Sequence, residues 1–139
     1  MCHSWLVWAT MAAFATGAEA QSVEALPAGV YQGTYYCLQG QTALTLTVNA
    51  PSGGRQTAEF AFGGNDGLPT GAYLVSVRAQ GSDVVITPDR WLRKPENYEM
   101  VGSHLRREGD RLTGVITNPN CRWIMIRRRE GTVTVLDPE

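Results

Sequence analysis

Histidine and cysteine, which supply most metal sites and many nucleophilic centres, are scarce in this chain: 139 residues contain two of the first and three of the second. Cys2 and His3 fall at the start, which leaves His104, Cys37 and Cys121 for everything beyond. A zinc site of three or four His/Cys ligands would need both cysteines as thiolates, and with the two expected to be oxidised such a site is nearly excluded. A G-x-S-x-G elbow and a phosphate-cradling glycine loop are also missing. Gly63-Gly64-Asn65-Asp66-Gly67 is glycine-rich, but it runs into Leu68-Pro69 rather than a helix and reads as a mobile hairpin loop. Past residue 20, no stretch repeats apolar residues at i, i+3, i+4 and i+7 over three turns, which argues against a helical domain. Charge of one sign is lacking too, with a formal net charge of -1. Residues 21–89 carry about −3 and residues 90–139 about +3. That split makes a dipole, without the polybasic footprint that nucleic acid requires.

Long apolar runs are absent as well. Residues 6–16 (LVWATMAAFAT) are mostly apolar but too few to cross a bilayer core of about 30 Å as a helix. Ala18-Glu19-Ala20 follows with the small-x-small form of a cleavage site. The expectation is a signal peptide over residues 1–20, although residues 1–5 depart from the usual pattern in carrying no Lys or Arg. No cysteine stands at a lipoprotein position after the run, so residues 21–139 are expected as one domain without a lipid anchor, periplasmic or secreted.

Alternation is what the remainder does contain. Leu44, Leu46 and Val48 alternate with Thr45, Thr47 and Asn49; Ala58, Phe60 and Phe62 alternate with Thr57, Glu59 and Ala61. Period two with one wet side predicts strands. Further strands are expected over 30–37, 72–79, 83–87, 98–106, 111–117 and 121–127, separated by Gly-, Asn-, Asp- and Pro-rich turns. The fold class is therefore all-β, a small antiparallel eight-stranded barrel or sandwich.

Cys37 ends the first predicted strand and Cys121 begins the last. If those strands meet antiparallel, both cysteines reach the same edge, and a disulfide would join the first strand to the last and close the barrel. By the period-two rule Tyr31, Gly33 and Tyr35 share a face with Cys37, and Trp123 and Met125 share one with Cys121. An inward disulfide would place Tyr31, Tyr35, Trp123 and Met125 in the interior, as a packed core or as the lining of a small apolar pocket. Ser103 would point away from its neighbour His104. Outside the core, residues 89–98 read as a loop with Trp91, Arg93, Lys94 and Tyr98 close together, residue types that dominate binding hot spots. Arg127-Arg128-Arg129 reads as a solvated strand end.

Tyr35-Tyr36-Cys37-Leu38-Gln39-Gly40 resembles the Y-x-C-x-x-G opening of the periplasmic inhibitors of c-type lysozyme. Those are small exported barrels that plug an enzyme cleft with an S-G-x-x-Y loop followed by W-x-K-G. Thr70-Gly71-Ala72-Tyr73 and Trp91-Leu92-Arg93-Lys94-Pro95 are the counterparts here, with Thr for Ser, one residue fewer before Tyr and Pro after Lys94. A longer pattern is similar to a widespread exported bacterial β-domain. It comprises Cys37-Leu38-Gln39-Gly40, Pro69-Thr70-Gly71-Ala72-Tyr73, Pro88 to Trp91, Pro95 to Gly102, Leu112 to Ile116 and Cys121, and it implies no particular activity.

The expected function is an exported, monomeric, non-catalytic binding module. The inhibitor resemblance implies a protein inhibitor of a glycan hydrolase, such as a host or competitor lysozyme. Thr70, Tyr73, Trp91, Arg93, Lys94 and Tyr98 would contact the partner. One alternative is a carrier of a small apolar ligand among Tyr31, Tyr35, Trp123 and Met125; a second is a hydrolase using His104. No cofactor, metal, nucleic acid or membrane span is expected.

Overall fold

Period-two alternation becomes strand wherever the sequence displays it. In the computed structural model, which describes residues 25–129, eight strands follow one another: β1 (Gly29–Cys37), β2 (Gly40–Val48), β3 (Gln56–Phe62), β4 (Gly71–Gln80), β5 (Asp83–Arg93), β6 (Ser103–Glu108), β7 (Arg111–Ile116) and β8 (Ile124–Arg128). The predicted signal peptide and the tail beyond Arg129 lie outside the described residues. Each strand pairs antiparallel with the next, and β1 pairs with β8 from Tyr31↔Arg128 to Tyr35↔Ile124, so the sheet closes as a barrel rather than splitting into a sandwich. Closure satisfies the backbone groups that an open sheet would leave along its edges.

The apolar partners in the alternation point inward. Leu44, Leu46, Val48, Ala58, Phe60, Phe62, Val75, Val84, Ile86, Leu105, Leu112, Ile124 and Ile126 form a continuous buried core with Tyr31, Tyr35 and Tyr73. An eight-stranded barrel has an interior that side chains of this size fill. Gly33 is the exception on the inner side of β1. A side-chain carbon there would collide with the backbone of Met125 and Ile126, so glycine is what lets β8 cross β1 so closely.

The two ends differ. At one end the connections are 49–55, 81–82 and 109–110, and the segment before β1 folds across the opening. Leu26 plugs it and is fully buried. Gln56 holds that plug: its Nε2 donates to the Leu26 carbonyl (2.7 Å) and its Oε1 accepts from the Leu26 N–H (2.9 Å). The Tyr31 hydroxyl donates to the Pro27 carbonyl (2.8 Å), and Arg128 Nη2 donates to the Ala28 carbonyl (2.8 Å). Arg128 is thus a latch for the plug, which corrects the reading of Arg127–Arg129 as a wholly solvated strand end. At the other end stand the connections 38–39, 63–70, 94–102 and 117–123.

Three element boundaries depart from the sequence expectation. β5 runs on to Arg93, with two register shifts against β4 between Ala72/Tyr73 and Leu74/Val75, so 89–93 is strand and not loop. β6 begins at Ser103 instead of residue 98, and pairs with β5 only from Asp83 to Ile86. β8 begins at Ile124, three residues after Cys121. The Cys37–Cys121 disulfide is present and joins the first strand to the segment leading into the last.

Candidate functional site

Loops concentrate at the open end, where the two longest of its connections are 63–70 and 94–102. The first is anchored, contrary to its reading as a mobile loop. Asn65 Oδ1 accepts from the Ala43 N–H (2.8 Å), and its Nδ2 donates to the Gln41 carbonyl (2.9 Å). The second is held by Tyr73, whose hydroxyl donates to the Val101 carbonyl (2.9 Å) and accepts from the Val101 N–H (3.1 Å). Beneath both loops lies a run of aromatic contacts. Tyr73 stacks on Phe60 (4.7 Å between centroids), Trp91 meets Tyr73 edge-on (5.2 Å), and Tyr98 stacks on Phe62 (5.4 Å). Pairs in these geometries add about 0.5–1.5 kcal/mol each beyond the area they bury.

Above that floor the mouth opens into a cleft of about 590 Å³. Connections 38–39, 94–102 and 117–123 line it; the 63–70 loop stands beside it. The disulfide and Tyr35 form its base, Leu38 and Tyr98 its apolar contacts, and Lys94, Asn97, Glu99, Asn118 and Asn120 its polar ones. Burial raises the Tyr35 phenol above its ordinary value, an effect offset in part by side-chain hydrogen bonds to Gln39 and Thr42. Burial raises Tyr73 likewise, against the lowering by its bond to Val101. Both therefore remain neutral hydroxyls. Gln39 Nε2 donates to Thr42 Oγ1 (3.0 Å), which steadies the tight turn at the base.

The residues expected to contact a partner separate into three groups. Lys94 and Tyr98 line the cleft. Thr70 and Arg93 are exposed but line a different, shallow depression of about 200 Å³ against the outer wall of β2 and β3. Tyr73 is only 1% exposed and Trp91 is half-buried against the core, so their role here is to carry the loops.

For the interior set, Tyr31 and Tyr35 point inward as expected. The inward placement of Trp123 and Met125 is corrected: Met125 is 48% exposed and Trp123 stacks on Tyr36 on the outer wall (6.1 Å). An irregularity ahead of β8 causes the reversal. Tyr36 donates its N–H to the Trp123 carbonyl but accepts from the Arg122 N–H, so two residues oppose one, as in a β-bulge. Alternation counted forward from Cys121 therefore fails at residue 123. His104 is exposed on the outer wall, while the Ser103 hydroxyl is buried on the inner side without a hydrogen-bond partner. The two point apart, as alternation predicts. Among the described residues, no group of three His, Cys, Asp or Glu is arranged to hold a metal ion.

Sequence reasoning passed over Leu38, Asn97, Glu99, Asn118 and Asn120. For Leu38, Asn118 and Asn120 the signal was turn chemistry, Gln39-Gly40 and Asn118-Pro119-Asn120, which marks a bend without saying what it faces; Asn97 and Glu99 flank Tyr98 at the end of the 89–98 segment. Comparison with family models, with curated proteins and with solved structures found no match.

Proposed function

We propose that the chain is an exported, non-catalytic binding module whose ligand enters the loop-bearing mouth. One observation carries this reading: three connections converge on an open cleft whose volume lies in the range of small-molecule sites and most of whose polar rim is not spent on the fold. Among the described residues the side chains of Lys94, Asn97, Glu99 and Asn120 make no hydrogen bond or ion pair. A disulfide between the chain's first and last strand regions suits an oxidising compartment, which accords with the export signal read in the sequence. Among the described residues no helix is long and apolar enough to cross a membrane.

The apolar-carrier alternative loses support because the barrel interior is filled by Tyr31, Phe60, Tyr73 and their aliphatic neighbours, and two of its four residues face outward. The hydrolase alternative loses support because His104 is exposed on the outer wall between Val85 and Val115, with Ser103 directed to the opposite side. A protein partner is a second reading, favoured by the exposure of Lys94 at the mouth and of Thr70 and Arg93 on the separate depression against β2 and β3. Full residual activity of a c-type lysozyme mixed with a molar excess of this protein discards the lysozyme form of that reading.

The mouth itself is tested by adding a defined mixture of mono- and disaccharides, dipeptides, short fatty acids and nucleosides to the isotope-labelled protein. Amide shifts confined to Leu38, Asn97 to Val101 and Asn118 to Cys121 are expected. Shifts confined to the outer wall of β6, β7 and β8, or none from any compound, would overturn the assignment.

A further inference from the structure

We propose that the mouth cleft takes a saccharide, with a pyranose ring laid on Tyr98 and its hydroxyls bonded by the side-chain amides of Asn97, Asn118 and Asn120. The inference rests on the mouth being the ligand site and names the class of ligand it fits. Each class must meet the chemistry of the lining. Lys94 is the cleft's one cationic group and Glu99 opposes it, so a phosphorylated or otherwise strongly anionic ligand finds little net attraction. A fatty chain would desolvate the amide rim without replacing its hydrogen bonds, at a cost for every group left unpaired. A polyol avoids both penalties.

Three features favour it positively. A carboxamide offers two donors and an acceptor on one rigid plane, matching sugar hydroxyls that donate and accept at once. The Asn97 and Asn120 amides are free among the described residues. Asn118 Oδ1 accepts the Asn120 N–H (2.8 Å), which leaves the Asn118 amino group to donate into the cleft. Tyr98 supplies the apolar half of the match. Phe62 stacks behind it at 5.4 Å with the ring planes 26° apart, while Tyr98 itself lines the cleft. A ring held from behind loses little freedom when a ligand covers it, and its electron-rich face suits the C–H face of a pyranose.

The test is calorimetric titration of the whole protein with three probes: cellotriose, maltotriose and tri-N-acetylchitotriose. At least one should bind at a single site with millimolar or better affinity. Tyr98→Ala should weaken that affinity about tenfold and Asn120→Ala several-fold, whereas Tyr98→Phe, which keeps the ring, should hold it within about twofold. Val115→Thr on the outer wall should change nothing. The thermal midpoint of each variant separates loss of binding from loss of fold, and Tyr98→Phe keeps the test open if Tyr98→Ala does not fold. If no saccharide binds while a dipeptide or fatty acid shifts the cleft amides, the saccharide falls and the mouth stands. Binding that ignores Tyr98 and Asn120, or lysozyme inhibition with no saccharide binding, also overturns the proposal.

Discussion

Single side chains settle how each end of the barrel is finished. Tyr31, Tyr35 and Tyr73 are buried phenols, and each is raised above the ordinary value of 10.0, chiefly by desolvation. A group whose folded value is raised favours the native state fully below its unfolded value, and that contribution is lost as pH climbs past it. Stability should therefore hold through neutral pH and fall above about pH 10. Phenolate absorbance from these three should appear together with the loss of β-sheet circular dichroism. Their ionisation with the native spectrum intact would contradict the burial described. Gln56 matters in the same way at the closed end. Its replacement by Leu removes both partners of Leu26, and an orphaned buried backbone group costs about 1–3 kcal/mol. Urea unfolding and hydrogen exchange at Leu26 would report that loss; wild-type protection of the Leu26 amide would refute the latch.

Among the elements, β2, β3 and β4 were legible in the sequence because strict alternation and a Gly-rich turn leave one register open to them. β5, β6 and β8 were legible as strands but not at their ends. In β5 two register shifts carry the strand past Pro88 and Asp89, residues that otherwise read as turn formers. Ahead of β8, a single inserted residue flips Trp123 and Met125 outward, and period-two counting has no means of seeing an insertion. Gly33 illustrates the converse. Its necessity comes from the approach of β8, more than ninety positions away in sequence, and no local pattern reports it. Gly33→Ala should destabilise by about 1–3 kcal/mol or more through overpacking against Met125 and Ile126. A chemical-denaturation midpoint equal to wild type would mean that β1 and β8 are farther apart than described.

For the molecule as a whole, the pairing of Cys37 with Cys121 was readable from where the two residues fall, because a barrel brings its first and last strands together. What the sequence left invisible was the cleft, since its lining comes from three connections, 38–39, 94–102 and 117–123, and only closure assembles them. The disulfide spans 84 residues, and in the chain-entropy model a loop of that length is worth about 4–5 kcal/mol. A Cys37→Ser, Cys121→Ser variant should lose about 2–5 kcal/mol in urea unfolding, with the mouth loops exchanging amide protons faster than the plugged end. An unchanged midpoint would show that the β1–β8 ladder alone carries closure.

The account stands or falls on the mouth as a ligand site built from amides and a backed aromatic ring. The most direct measurement is a crystal structure of the protein grown with whichever of the three oligosaccharides binds most tightly. The account predicts a pyranose ring against the free face of Tyr98, with hydroxyls in hydrogen-bond reach of Asn97, Asn118 and Asn120. A sugar seated on the outer-wall Tyr36–Trp123 stack, with the mouth holding only solvent, would contradict it.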